Sequence, residues 1–284
     1  MGPAWRRIFL SGLALWIATV AVTFATSNAN LIPTIILVGS FLFPVTFVTY
    51  AFEHADRVVT TQRIMTSFVY GGVLGVLGAS VLEDAFLGQP SALAFFGVGL
   101  IEEAVKLAAL WWLARRLPRY TMRDGMVLGA AVGFGFAAFE SAGYAFNAMF
   151  TSGGVPLLNL IETEFLRGVL SPVGHGLWTA ILGGALFAAA RRGRLRLSAA
   201  VVGWYLVVAL LHALWDASQI LAVWLTLLIT NAPIHRLLSL IDRSASTTQE
   251  QIHVFTVLNW GLMALVAVIG LVILRVRWRR ATAE

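Results

Sequence analysis

Glu102, Glu103 and Lys106 stand within six residues of one another in IEEAVK, in the middle of an apolar run long enough to cross a bilayer. An ionisable side chain near the bilayer centre costs roughly 2.5–3.5 kcal/mol on insertion scales, so such groups are kept for partners or for chemistry. On a helix Lys106 lies four residues from Glu102 and three from Glu103, and reaches either carboxylate. The two glutamates point about 100° apart, so both cannot face one narrow site. One meets the site while the other pairs with the lysine, and the sequence leaves open which does which.

Further polar residues interrupt later apolar runs. GFGFAAFESAGYAF carries Glu140, with Tyr144 one turn on. SPVGHGLW carries His175, and LLHALWDAS carries His212 and Asp216 on one helical face. Singly, each reads as a hydrogen-bonded packing residue. Together, four segments supply groups of metal-ligand or acid–base type. Glu102, Glu103, Glu140 and Asp216 set against Lys106 leave −3 with neutral imidazoles. Low dielectric does not tolerate that charge, so protons or a divalent cation must offset it. Two neutral imidazoles with a carboxylate make a good Zn²⁺ ligand set, and a nearby glutamate is then placed to act as general base. Asp216, one turn from His212, either joins the ligands or orients an imidazole.

The elements that position these residues are transmembrane helices. The 284 residues are 59% hydrophobic and 12% charged, where a soluble domain is nearer about 25% charged. Mean hydropathy is +0.83. The expected fold is all-α: a single integral-membrane domain over 1–284, a bundle of about eight transmembrane helices near 8–26, 31–52, 64–82, 91–114, 125–149, 168–190, 197–229 and 253–275. The seventh is long for one crossing, so it is tilted or projects past the bilayer. The first, after Arg6 and Arg7, is read as a retained span rather than a signal peptide. No cysteine is present, which excludes disulfides and thiolate ligands. Sixteen arginines fall in one set of alternate loops and three in the other, which puts both termini in the cytoplasm. That sorting explains the pI near 10.5 without a nucleic-acid partner. Gly125, Gly129 and Gly133 form GxxxGxxxG in the fifth helix, a pattern of close helix packing. IHRLLSLI, 234–241, is read either as an interfacial turn of helix or as an ordinary loop. At about 1.5 Å rise per residue, Glu102, Glu103, Glu140, His175, His212 and Asp216 all fall between the midplane and the outer leaflet.

EEAVK (102–106), FAAFE (136–140), the His175 segment and HALWD (212–216) resemble, in order, the motifs of PrsW family intramembrane proteases, distant relatives of the CAAX prenyl proteases. The resemblance covers about 90–220, the motif-bearing protease core. It implies peptide-bond hydrolysis in the membrane of a multi-pass cell-membrane protein, with membrane-bound protein substrates such as anti-sigma factors. CAAX members typically carry EExxxR where this chain has EExxK, and His where it has Glu140. Those departures place the chain nearer the PrsW branch and leave a metal-free glutamate mechanism open. The reading that results is an intramembrane endopeptidase. One of Glu102 or Glu103 activates water. Glu140, His175 and His212 hold a divalent metal, Zn²⁺ first. Asp216 supports His212, and Lys106 balances the glutamates. Its partners are the bilayer and a membrane-bound protein substrate. A proton- or cation-coupled transporter is the alternative; it calls for repeats and broken helices, and the sequence displays no repeat.

Overall fold

The computed structural model describes residues 3–53, 59–87, 94–150, 156–233 and 248–281. IHRLLSLI lies outside them. Regular structure among the described residues is helical, apart from one isolated bridge between Arg191 and Arg194. The α-helices are α1 (Ala4–Thr26), α2 (Ile32–Glu53), α3 (Thr61–Phe86), α4 (Ala94–Ala114), α5 (Met122–Ala148), α6 (Pro156–Leu170), α7 (His175–Ala188), α8 (Ala199–Asp216), α9 (Ser218–Ile229) and α10 (Gln249–Ala281).

Local chemistry sets several helix starts. Thr60, Thr121 and Ser198 sit in extended backbone, and each side chain accepts from the amide three residues on, capping α3, α5 and α8. Pro156 opens α6, where a missing N–H has no helical partner to lose.

Among the described residues, seven helical stretches are long and apolar enough to cross a membrane: Ala4–Thr26, Ala29–Glu53, Thr61–Phe86, Met122–Ala148, Pro156–Ala188, Ala199–Asp216 and Gln249–Ala281. The eighth expected helix is α4, which has comparable length but carries Glu102, Glu103 and Lys106.

Two expected helices differ in detail. The sixth begins at Pro156 and is interrupted by a 3₁₀ turn, Ser171–Val173, so that His175 is the first residue of α7. Pro172 has no N–H to donate, and Gly174 leaves helical geometry with φ −106° and ψ −127°. The seventh, expected as one helix over 197–229, divides at Ala217 into α8 and α9. Ser218 Oγ bonds Asn259 Oδ1 at 3.3 Å, and α9 packs on α10.

Helix α5 is the centre of the bundle, with α7 on one side and α3 on the other. Its GxxxGxxxG ridge meets α7 backbone. Added Cβ atoms at Gly125, Gly129 and Gly133 would strike the carbonyl oxygens of Gly183, Thr179 and His175 respectively. Both rows advance by four residues, so the two helices lie in contact along their length, and His175 is seated at one end of the seam. Gly135 fits α3 in the same way, against the Phe68 carbonyl, and Gly99 brings α4 against Ala209 on α8. These contacts fix the spacing of the four helices that carry the ionisable residues.

Gly129→Ala is expected to lower the unfolding midpoint in detergent, by about 1–3 kcal/mol for an overpacked seam. Gly203→Ala, which enters open space, is expected to leave the midpoint unchanged or slightly raised. Equal midpoints for the two variants would mean that the glycine seam does not set the α5–α7 distance.

Candidate metal and catalytic site

The seven residues singled out in the sequence form one connected network, contributed by α4, α5, α7 and α8. Its centre is Lys106, fully buried. Its ammonium donates to Glu102 Oε2 at 3.1 Å and to Glu103 Oε1 at 2.7 Å, and lies 2.9 Å from His175 Nδ1. An ammonium has three protons and no lone pair, so all three are used and His175 Nδ1 must accept. The other ring nitrogen then carries the hydrogen and donates to Glu140 Oε2, 3.0 Å away. Phe136 places its ring face 4.2 Å from the ammonium, a further contact suited to a desolvated cation.

His212 is organised in the same manner. Its Nδ1 donates to Glu103 Oε1 at 3.1 Å. Its Nε2 faces two further carboxylate oxygens, Glu102 Oε2 at 3.6 Å and Asp216 Oδ2 at 3.3 Å, and as neither can donate, this nitrogen carries a hydrogen unless a metal takes its place. Trp178 stacks on the ring with centroids 4.7 Å apart and holds its plane.

The paired glutamates therefore divide their work. Glu103 is fully buried behind the site and holds Lys106 and His212. Glu102 lines a cleft of about 290 Å³, with Glu140, His175, Asp216, Tyr144 and Arg167.

Arg167, counted among the outer-loop arginines in the sequence, is on α6 and enters the site. Its guanidinium pairs with Glu140 Oε2, donates from Nε to Ser141 Oγ at 2.9 Å and lies over the Tyr144 ring at 4.1 Å. Starting the sixth helix at 168 left it out. Pro156 is the sequence signal that extends the helix back far enough to include it. Four carboxylates (−4) set against Lys106 and Arg167 (+2) leave −2 with neutral imidazoles, the charge that one divalent ion cancels.

One oxygen of Glu102 and one nitrogen each of His175 and His212 lie within 4.8 Å of one another. Atoms bound at 2.0–2.2 Å to one Zn²⁺ are at most about 4.4 Å apart, so small side-chain adjustments close this set on an ion. The chemistry of the donors fits as well. Each imidazole has its far nitrogen held by a carboxylate, Glu140 for His175 and Glu103 for His212, which aims the near nitrogens toward Glu102. Glu140, expected in the sequence as a ligand, is outside that set: Arg167 and His175 engage its carboxylate.

Residues 33–238 match the family described as PrsW family intramembrane metalloprotease. No curated protein and no solved structure matches the chain.

Lys106→Met leaves two buried glutamates without their cation. It is expected to destabilise the protein by about 3–5 kcal/mol, read as lost yield and a lowered unfolding midpoint. Adding Glu103→Gln to that variant should recover part of the loss. Unchanged stability in Lys106→Met would remove the lysine from its balancing role.

Proposed function

This chain belongs to the PrsW family of intramembrane metalloproteases, and we propose that it cleaves membrane-anchored proteins, anti-sigma factors among them, at the cleft walled by Glu102, Glu140, His175 and Asp216. The observation that carries the reading is the pair of imidazoles, each oriented by its own carboxylate toward Glu102.

In this reading Glu102, His175 and His212 would hold a divalent ion, and two imidazoles with a carboxylate are a ligand set that suits Zn²⁺. Bound there, the ion would supply Lewis-acid charge for the carbonyl oxygen of the scissile peptide and for the attacking water. His175 would offer Nδ1, which Lys106 now occupies at 2.9 Å, so the ammonium would give up that acceptor and keep its two glutamates. Glu140 and Glu103 keep the rings in the productive tautomer. Asp216 faces the cleft, and among the described residues no Lys or Arg pairs with it. Its carboxylate takes the proton from water and returns it to the leaving amine. Water activation thereby moves from the paired glutamates to Asp216. Trp178, Phe136 and the helix contacts exclude bulk water behind the site, while the cleft admits it in front.

A cation relay would also use buried carboxylates and a broken helix, and the α6–α7 break supplies the latter. Family membership and the imidazole pair favour hydrolysis.

Protein purified without chelators is expected to carry near-stoichiometric zinc. Glu102→Gln and His175→Ala/His212→Ala should lose it at equal folding, and Glu140→Gln should bind it about 10–100-fold more weakly. Absence of metal from the wild type, after exposure to zinc, would overturn the ligand assignment.

The arginine sorting further supports an arrangement with both ends of this chain on the cytoplasmic face. The lack of cysteine makes this directly measurable. An impermeant maleimide should label Asn28→Cys in intact cells and Arg192→Cys only after permeabilisation. The reverse pattern would invert the topology.

A further inference from the structure

At the arginine-rich end of the bundle, at the other end of α8 from Asp216, the end of α7, the start of α8 and the last turns of α10 enclose a groove of about 610 Å³. Arg191, Arg196, Ser198, Ala199, Trp204 and Arg277 line it, and no carboxylate does. The groove is built rather than merely charged. Arg192 and Gly193 both have positive φ, 51° and 70°, and form a two-residue turn closed by reciprocal backbone bonds between Arg191 and Arg194 at 3.0 Å. That turn brings the chain from the end of α7 to the start of α8 and sets Arg191 and Arg196 on one rim.

Two independent features converge there. The first is the α8 N-terminus. Ser198 caps the amide of Val201, and its carbonyl takes that of Val202, which leaves the amides of Ala199 and Ala200 unpaired at the positive end of an 18-residue helix. The second is Arg277, only 8% exposed, whose Nε has no hydrogen-bond partner. Among the described residues no carboxylate pairs with it; its guanidinium lies over the Trp204 ring, 4.4 Å from the centroid. A buried arginine without an anion is costly. The arginine sorting that sets topology needs arginines near this surface, but gives no reason to bury one unpaired.

We propose that this groove binds a phosphate group, held by Arg277, the α8 N-terminal amides and the rim arginines 191 and 196. Arginine suits the task because its planar fork of donors matches phosphate oxygens. The groove opens where the apolar spans end, beside exposed Leu197 and Val202. A headgroup of an anionic phospholipid is therefore the expected source, since basic pockets between transmembrane helices at that depth take such headgroups.

The test is retention of lipid by purified full-length protein, read by native mass spectrometry after exchange into phosphatidylglycerol or phosphatidylcholine micelles. Inorganic phosphate, scored by its effect on the unfolding midpoint, forms a separate arm. Phosphatidylglycerol should be retained in preference to phosphatidylcholine. Arg277→Gln should weaken retention by about tenfold, Arg196→Gln by about fivefold, and Arg192→Gln, in the exposed turn, by less than about twofold. Arg196→Gln serves in place of Arg277→Gln if burial of the glutamine prevents folding. Stabilisation by inorganic phosphate, lost in Arg277→Gln and without lipid preference, would support the site with a soluble ligand. Equal effects of Arg192→Gln and Arg196→Gln, or equal retention of the two lipids without any phosphate effect, would overturn it.

Discussion

The site depends on one buried ammonium. Lys106 neutralises part of a carboxylate cluster that a low-dielectric interior could not otherwise hold, and its three protons are divided among Glu102, Glu103 and His175. Because it can only donate, it dictates the tautomer of His175, and through that ring the role of Glu140. Glu103, held by the same ammonium, takes the Nδ1 hydrogen of His212 and leaves Nε2 as the nitrogen directed at Glu102 and Asp216. A single cation on α4 thus sets the hydrogen-bond directions of side chains on α5, α7 and α8. Arg167 completes the balance from α6, leaving a charge of −2 in a cleft open to water.

That network requires four helices at short and specific separations, and these are supplied by the absence of side chains. Glycines on α5 meet the backbone of α7 at His175, Thr179 and Gly183, while Gly99 on α4 meets α8 one turn before His212. Lipid gives apolar side chains little reason to prefer each other, so close backbone approach and interhelical polar contacts carry the association. The same glycines that bring the helices together therefore place the side chains of the network. The break at Ser171–Val173 adds the final adjustment, since it starts a new helix at His175 and turns that ring toward Lys106 and Glu102.

The helical architecture and the residues of the buried polar network were legible in sequence because both leave one-dimensional signals. Apolar runs have the length of a bilayer, and charge within them stands out against its surroundings. The GxxxGxxxG ridge was equally visible, though its partner was not. What stayed hidden were the helix interruptions at Ser171–Val173 and Ala217. A few polar or small residues inside an apolar run change mean hydropathy little, so both helices read as continuous. Arg167 was hidden for a related reason: a helix start placed twelve residues late turned a site residue into a loop cation.

By itself the sequence determined that charges must be buried in the membrane, which residues bear them, and the order of motifs that identifies the family. Only the tertiary structure decided that Glu102 faces the cleft while Glu103 stands behind it, and that an oxygen of Glu102 lies within 4.8 Å of one nitrogen of each of the two histidines. The physical reason is that adjacent helical residues differ by direction alone, and direction acquires meaning only when neighbouring helices are in place. His212 approaching from α8 and Arg167 from α6 assign each carboxylate its partner, and neither approach is written in the spacing along the chain.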